Sequence, residues 1–318
     1  MSEASAWRPS AGLAAIRRRA EFLAQIRHFF GARGVLEVDT PILLPTASTD
    51  PALSSFRVTA AERSERFLQT SPEFAMKRLL AAGCGDIYQV CHVFRREDPS
   101  RIHLEEFSLL EWYRVGFDHH RLMDELVDLL DAVGFERAIA RYSFAELCMR
   151  WTGLDPHRAS TSELAAFART EGARFETADY ADRAMLLDFV FGIGILSRVS
   201  EMGAFFIYDF PTEHLAYARI RAGDPPVAER FELVIDGIEI ANGFQEVVDA
   251  PEQRARQLRE IARRRAYGLP EPMLDEALLA ALESGLPRCA GVALGVDRLL
   301  MILTASEKIA DVVAFGCN

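Results

Sequence analysis

The residues best suited to chemistry lie in segments that are far apart in the chain. FRREDPSRIHLEEFSLLEWYR occupies residues 94–114, and GVALGVDRLLMIL occupies residues 291–303. Between them, ERFELVIDGIEIANGFQEVVD occupies residues 229–249. The first segment is rich in arginine, whose planar guanidinium can bind two phosphate oxygens at once. Together the segments predict one site, in which arginine side chains bind the phosphates of a nucleotide and acidic side chains bind an amino group.

Two carboxylates of the middle segment indicate a cation site. An Asp-Gly turn pairs Val234 with Glu239, which makes Glu232 and Glu239 diagonal neighbours on one sheet face. Two like charges at that spacing require a cation, a shared proton or full solvation. The hairpin is therefore either an exposed sheet face or a magnesium site, since Mg²⁺ favours one or two carboxylates together with phosphates. Apolar neighbours such as Ile240 favour the magnesium site.

In the first segment, one arginine and one face of a strand carry candidate ligand-binding residues. Arg95 directly follows an apolar strand, which would hold it rigid enough to bind a phosphate. Phe107 is either plain core or a platform for a nucleotide base. Glu111 and Tyr113 lie two residues apart and share one strand face. A carboxylate beside a phenol suits an ammonium group.

The last segment places small residues before the start of a helix. Gly295 would let a ligand approach the backbone closely. Arg298 falls in the first helical turn, where a positive charge opposes the helix dipole. A role in binding an anionic ligand would explain why an arginine occupies this unfavourable position.

The strands that must position these residues occur as hairpins, with the helices segregated outside them. This pattern predicts an α+β fold with an antiparallel sheet flanked by helices, in a single domain over 1–318. Ser71 is predicted as an N-cap, with Pro72 as the first helical residue. The other predictions are helices over 13–34, 119–134 and 251–268, a final helix from residue 297, strands over 35–43, 87–94 and 107–115, and a mainly helical insertion over about 141–205.

The bulk properties narrow the class of protein. The formal net charge of −11 lowers the expectation of RNA as the main partner, because such binding relies on basic contacts to phosphate. No apolar run reaches the roughly 18 residues that a membrane helix needs, and the first residues do not resemble a signal peptide. We therefore expect a cytoplasmic protein without a membrane partner. The five cysteines lack zinc-like spacing and are expected to be reduced.

These segments resemble the motifs of class II aminoacyl-tRNA synthetases. FRRE…H…EF…LEWYR resembles motif 2, GVALGVDR resembles motif 3, and the helix and strand ending at Pro41 resemble motif 1, the usual dimer element. SPEFAMKRLL and ELVIDGIEIANGFQE are similar to lysyl-tRNA synthetases. AAGCGDIYQVC, RRAYGLP and PRCAGVALGVDRL extend a closer resemblance, along essentially the whole chain, to a shorter family that ligates β-lysine to elongation factor P.

The resemblance implies roles for individual residues. Arg95 would hold the α-phosphate of ATP, Glu97 would read the adenine amino group, and adenine would stack between Phe107 and Arg298. Arg95 and Arg298 would be catalytic. The wider ATP site would add Arg96, His103, Glu239, Ile240 and Gly295, with Glu232 and Glu239 as Mg²⁺ ligands. The substrate site would consist of Ser71, Pro72, Glu73, Glu111, Tyr113, Phe244, Glu246 and Ala293.

Two positions depart from the related families. Leu104 stands where the family usually has Asn, which affects one nucleotide contact. Ala293 stands where lysyl-tRNA synthetases usually have Gly. One added methyl in a tight pocket discriminates between ligands by about 1–3 kcal/mol, and here it would reshape the site around the substrate's α-carbon, in keeping with a β-amino acid.

The implied activity is that of an ATP- and Mg²⁺-dependent ligase. It would activate (R)-β-lysine as an adenylate and transfer it to a lysine of elongation factor P, working as a homodimer. Only residues 1–12 precede the first predicted helix, leaving no place for an anticodon-binding barrel, so no tRNA partner is expected. The alternatives are a truncated lysyl-tRNA synthetase-like enzyme that uses α-lysine with tRNA or another acceptor, and a non-catalytic paralogue that binds lysine or ATP.

Overall fold

A computed structural model of the chain describes residues 7–59, 65–173, 182–196 and 198–316. The backbone divides into two compact units. The first comprises Met1–Phe117, Asp128–Phe135 and Val247–Asn318, and the second comprises Asp118–Val127 and Glu136–Glu246.

Nine α-helices lie in the described ranges. They are α1 (Leu13–Ala32), α2 (Glu73–Ala81), α3 (His119–Ala132), α4 (Phe144–Thr152), α5 (Thr161–Thr170), α6 (Arg183–Phe189), α7 (Ala250–Ala266), α8 (Glu276–Gly285) and α9 (Val296–Leu303). A π-helical segment, Val190–Leu196, follows α6 directly.

Twelve strands are described in the same ranges. They are β1 (Leu36–Glu37), β2 (Leu43–Leu44), β3 (Arg57–Val58), β4 (Arg66–Leu68), β5 (Ile87–Phe94), β6 (Glu106–Val115), β7 (Ile139–Ser143), β8 (Ala204–Phe210), β9 (Ile220–Arg221), β10 (Val227–Ile235), β11 (Ile238–Gln245) and β12 (Cys289–Gly295).

The first unit is built on strands in the order β1-β5-β6-β12, antiparallel except for the β1–β5 pair. A small three-stranded sheet, β2-β4-β3, belongs to the same unit. The helices of this unit bury apolar side chains against the strands, as the cluster of Met76, Leu80, Ile87, Tyr113 and Leu278 shows. The two long strands β5 and β6 are therefore held rigidly from one side.

The second unit contains strands in the order β11-β10-β8-β7, with β9 paired to β10. The β7–β8 pair is parallel and the β8–β10 and β10–β11 pairs are antiparallel. Its core joins the helices α4–α6 to the sheet through residues such as Phe144, Leu187, Phe205 and Val234. Both units thus have the predicted α+β character, with mostly antiparallel strands flanked by helices.

Several boundaries differ from the sequence predictions. The helix after Ser71 begins at Glu73, and Pro72 is its N-cap, so both predicted positions were wrong by one residue. The predicted strand over 35–43 is reduced to two-residue strands, β1 and β2. The range 141–205 contains helices as predicted, but it begins within the strand β7 and ends within β8. No helix in the described ranges is long and apolar enough to span a membrane.

Four cysteines of the chain, Cys84, Cys91, Cys148 and Cys289, are free thiols, as expected. Cys317 lies outside the described residues.

Candidate active site

One face of β6 carries the side chains predicted for adenine and for the ammonium group. Phe107, Glu111 and Tyr113 alternate along this strand and therefore point to the same side. The partner strand β12 places Ala293 opposite Glu111 and Gly295 opposite Leu109. Both small residues are half-buried, so they lie next to the larger side chains of this face of the sheet. From Phe107 to Glu111 the strand extends about 13 Å, at about 3.3 Å per residue.

Glu111 is buried, with 2% of its surface exposed. One carboxylate oxygen accepts a hydrogen bond from the Ser71 hydroxyl at 2.8 Å, and the other accepts one from the Tyr113 hydroxyl at 2.6 Å. The Ser71 oxygen in turn accepts from the backbone N–H of Glu73 at 3.0 Å, which fixes its orientation. The structure thus brings together four of the residues predicted to bind the substrate.

The environment of Glu111 makes its charge responsive to a cation. Burial, followed by the nearby Glu73 carboxylate, raises the pKa of Glu111 to about 7, while the hydroxyls of Tyr113 and Ser71 and the charge of Lys77 oppose this rise. A buried carboxylate that is only partly ionised near neutral pH gains most from a positive ligand. The geometry therefore suits an ammonium group, as predicted from the strand pattern.

Glu73 is already engaged by a neighbouring lysine. The Lys77 ammonium lies 2.6 Å from a Glu73 carboxylate oxygen, one helical turn along α2. The lysine side chain is 2% exposed and the glutamate side chain 15% exposed. Lys77 was missed in the sequence analysis, although its i, i+4 spacing from Glu73 is the standard signal for such a pair.

Arg95 leaves the end of β5 beside the predicted base platform. Its guanidinium carbon lies 5.2 Å from the centre of the Phe107 ring, and its Nε donates to the Thr70 carbonyl at 3.4 Å. Phe107 is half-buried and packs against Cys91, Val93 and Leu109. Two predicted ATP-binding residues are therefore adjacent and supported by strand ends.

The loop between β5 and β6 presents the remaining predicted residues of motif 2. Arg96 and Glu97 are exposed. His103 is held back on the loop, because its Nδ1 lies 2.7 Å from the Ser100 hydroxyl and its carbonyl accepts from the Ser100 N–H at 3.1 Å. The half-buried Leu104 lines a groove on the same hairpin, together with Phe107. The roles assigned to these residues remain predictions.

Arg298 occupies the first turn of α9, as predicted. Its Nε donates to the carbonyl of Ile102 at 3.3 Å, which connects motif 3 to the motif 2 loop. Gly295 has a φ of −72°, a conformation open to any residue. A Cβ there would touch the Arg298 side chain at 3.6 Å, so the glycine leaves space alongside the arginine rather than permitting an unusual turn.

Asp297 is a positioning residue that the sequence analysis missed. It is 2% exposed, accepts a hydrogen bond from the Ser108 N–H at 2.7 Å, and is ion-paired with Arg19. It therefore fastens the start of α9 to β6 and α1, immediately before Arg298. An acidic residue in a first helical turn was the available signal.

The second unit carries the two predicted magnesium carboxylates on its β10–β11 hairpin. The turn residues Asp236 and Gly237 have φ of 50° and 78°, and Val234 pairs with Glu239, as predicted. A β-bulge then shifts the register, because Ala241 pairs with Leu233, and Glu232 lies opposite Asn242. The proximity of the two carboxylates survives this irregularity, since the charge of Glu239 acts on Glu232.

Glu232 is buried and Glu239 is exposed. Burial raises the pKa of Glu232; the Arg230 guanidinium, which forms an ion pair with it, lowers this pKa, and Glu239 raises it further. Arg230 also donates to the Asn242 amide oxygen at 3.2 Å and to the His214 carbonyl at 2.9 Å. A buried carboxylate facing a second one, among oxygen donors, fits a hard divalent cation.

Three further predicted residues lie on or just after β11. Ile240 is buried, and the half-buried Phe244 packs against the core of the second unit. Glu246 is 1% exposed, and its backbone forms an isolated bridge with Ala218. Their predicted contacts with ATP and substrate remain predictions.

Known proteins resemble this chain along its whole length. The family described as tRNA synthetases class II (D, K and N) matches residues 6–318. The chain is 44% identical over 314 residues to the elongation factor P–(R)-β-lysine ligase of Vibrio vulnificus (strain YJ016), covering 97% of both chains. The identity is also 44% to the ligase of the same name from Mannheimia succiniciproducens, covering 100% of this chain and 99% of that one. The ligase from Vibrio cholerae serotype O1 is likewise 44% identical, over 98% of both chains. This chain therefore belongs to the class II tRNA synthetases of the D, K and N type and, within them, to the elongation factor P–(R)-β-lysine ligase family.

Proposed function

We propose that this enzyme activates (R)-β-lysine with ATP and transfers it to the ε-amino group of a lysine on elongation factor P. In the first step the substrate carboxylate attacks the α-phosphate, the bond to the β-phosphate oxygen breaks, and pyrophosphate leaves. In the second step the ε-amino nitrogen attacks the acyl carbon of the adenylate. An amide forms, AMP leaves, and the amine proton passes to solvent.

The observation that carries this proposal is the buried carboxylate of Glu111. Its two oxygens accept from Ser71 and Tyr113, and the Glu73 carboxylate is close enough to raise its pKa. A pocket of this kind is stabilised by a positively charged ligand and destabilised by a neutral one. The amino groups of a diamino acid supply that charge, in agreement with the substrate named for the relatives.

Arg95 and Arg298 are the residues we propose for the phosphates. Negative charge builds on the phosphate oxygens as the bond to pyrophosphate breaks, and fixed guanidinium groups stabilise that charge without reorganisation. Both arginines are restrained, by bonds to the carbonyls of Thr70 and Ile102 respectively. Their positions are supported by the strand and helix from which they project.

Glu232 and Glu239 are the residues we propose to hold Mg²⁺. They offer oxygen donors, which this ion prefers, and the exposed Glu239 carboxylate is accessible to it. When bound, the ion neutralises phosphate charge. Arg230 keeps Glu232 oriented through its ion pair.

Ala293 supports the choice of a β-amino acid. It lies directly opposite Glu111, and the Cβ atoms of such a pair are about 5 Å apart. The methyl group therefore lies next to the proposed ammonium site, where it changes the shape available to the substrate.

A homodimer located in the cytoplasm is also part of the proposal. Leu36, Ile42 and Leu43, within the motif 1 segment, expose between 42% and 52% of their surface. Apolar residues grouped in this way favour a protein contact, and motif 1 is the dimer element of the class. Light scattering on the purified enzyme tests this; a monomer at micromolar concentration would contradict it.

The function is tested by incubating the enzyme with ATP and radiolabelled (R)-β-lysine or α-lysine, and with either elongation factor P or tRNA. We expect label on elongation factor P, and a preference for β-lysine. Label on tRNA and none on the protein would overturn the proposal. Absence of ATP–pyrophosphate exchange with either amino acid would indicate a binding protein without turnover.

A control variant connects the test to the proposed site. Arg298→Ala is expected to abolish exchange while thermal unfolding and oligomeric state remain normal. Arg78→Ala removes an exposed arginine of the same unit and should leave exchange intact. Normal exchange by Arg298→Ala would mean that motif 3 is misassigned.

A further inference from the structure

Lysine is almost absent from this chain. The sequence has 36 basic residues of the lysine and arginine type, and only Lys77 and Lys308 are lysines. Arginine therefore supplies nearly every cation, including those in ion pairs such as Arg19–Asp297 and Arg230–Glu232. Position 77 has an ammonium group in a protein whose other lysine and arginine positions, apart from Lys308, all carry guanidinium.

Lys77 is also the more buried of the two lysines. Its side chain is 2% exposed, whereas Lys308 is exposed. Burial of a lysine is unfavourable unless a partner compensates its charge. The Glu73 carboxylate, 2.6 Å away, is one such partner. The lysine therefore lies in the interior next to the acidic residues assigned to the substrate.

The ammonium of Lys77 has the same chemistry as the groups on the proposed substrate. It is compact and has three donors, unlike the planar fork of arginine. Glu73, Lys77 and an ionised Glu111 together carry one net negative charge. One added ammonium then makes this cluster neutral, whereas the two carboxylates without Lys77 would share a proton.

We propose that Lys77 is a positioning residue of the substrate site, which holds Glu73 in place and supplies a fixed positive charge beside Glu111. The site is then matched to one ammonium group at this point, and an amino acid lacking it would leave a buried negative charge. This inference rests on the proposed function and adds a residue to its substrate site.

The groups that act on Glu111 within the first unit come from α2, from the residues just before it and from β6. Glu73 and Lys77 lie on α2, the Ser71 hydroxyl lies just before that helix, and the Tyr113 hydroxyl lies on β6. On β5, Gln89 is paired with Glu111 and carries no charge, and the Cys91 thiol is in turn affected by the charge of Glu111. The facing residue on β12, Ala293, carries no charge. Lys77 is the positive group among them, so its removal would raise the pKa of Glu111 above its value of about 7.

The test compares Lys77→Met with the wild-type enzyme in ATP–pyrophosphate exchange from pH 6 to pH 9. An ammonium binds the ionised carboxylate, so the KM for (R)-β-lysine should rise as pH falls through the pKa of Glu111. Loss of one opposite charge should shift the midpoint of this rise in KM upward by about one pH unit. At pH 7 the KM should increase about fivefold, approaching tenfold at pH 6, with kcat at saturation little changed and the difference disappearing toward pH 9.

Three comparison variants make the result specific. Arg78→Met removes a charge from the adjacent, exposed position of α2 and should leave the pH profile unchanged. Lys77→Arg keeps the positive charge, so its KM should show the same pH dependence as that of the wild-type enzyme. Lys77→Gln retains a hydrogen-bond donor toward Glu73 without the charge, and serves if the methionine variant does not fold.

If Lys77 has a purely structural role, Lys77→Met and Lys77→Gln should lower the melting temperature without shifting the pH midpoint of the rise in KM. That outcome would overturn the inference. Calorimetric titration with the amino acid gives the same pH comparison without turnover. A wild-type protein that binds the diamino acid but does not exchange pyrophosphate would contradict the proposed function while leaving the Lys77 comparison valid.

Discussion

Glu111 combines a structural cost with a functional use. Its burial disfavours the ionised form, and its neighbours compensate only partly. An acid whose pKa is higher in the folded than in the unfolded chain holds its proton more tightly when folded. The stability of the folded state should therefore fall as pH rises from the ordinary value of 4.5 to about 7. In the complex that we propose, the substrate's ammonium would offset this loss.

Glu111→Gln should consequently stabilise the free enzyme at pH 8 while abolishing activation of the amino acid. The gain in free energy of unfolding should reach up to about 3 kcal/mol at pH 8 and be much smaller at pH 5. Thermal unfolding at the two pH values measures it. Glu105→Gln, at an exposed position of the same hairpin, should show no such dependence. A Glu111→Gln enzyme that is less stable than the wild type at pH 8 would contradict the argument.

Glu239→Gln should weaken the use of magnesium. One carboxylate fewer on the hairpin should raise the Mg²⁺ concentration for half-maximal exchange by about tenfold or more, since even indirect ligand contacts contribute that much. Asp236→Asn removes a charge from the turn of the same hairpin and should leave this concentration unchanged. Equal magnesium requirements in the two variants would exclude Glu239 as a ligand.

Among the elements, α9 depends on a single acidic anchor. Asp297 accepts from the Ser108 N–H and pairs with Arg19, so the first turn of the helix is fixed to two other elements. Arg298 is the next residue of that turn, so its backbone is held in place by the contacts of Asp297. The position of a proposed catalytic side chain is thus determined by the residue before it.

Asp297→Ala should lower both stability and exchange. It leaves a buried N–H unsatisfied and a cation uncompensated, which costs about 2 kcal/mol or more, and the loss of orientation should reduce kcat. Asp275→Ala removes a helix cap, which accepts from Leu278 N–H at 2.9 Å, and should cost about 1 kcal/mol without affecting exchange. Comparable losses of kcat in both variants would indicate a general effect of stability.

The elements also show what a sequence can predict here and why. The period of two on β6 correctly placed Glu111 and Tyr113 on one face, and the Asp-Gly turn set the Val234–Glu239 pair. The strand β8 escaped prediction because AFFIYDF is a nearly continuous apolar run, which does not distinguish a buried strand from a buried helix. The Ser71–Glu111 bond spans 40 positions and depends on packing between elements. The bulge on β11 has no local signal that we recognise.

For the whole molecule, the scarcity of lysine has a chemical consequence. An activated acyl group that reacts with ε-amines is a hazard to the protein that makes it. This chain offers two such amines, and one of them, on Lys77, is enclosed and ion-paired with Glu73. Arginine provides the other cations and does not form amides under these conditions, because its guanidinium stays protonated.

We therefore expect self-acylation at Lys308 only. Incubation with ATP and the amino acid, without elongation factor P, should add one acyl group per chain at most to side chains, found by mass spectrometry on the peptide containing this exposed residue. Lys308→Arg should remove the adduct, and modification of Lys77 would contradict its enclosure. An enzyme built with arginine can thus release its reactive intermediate toward a foreign lysine while remaining almost inert to it.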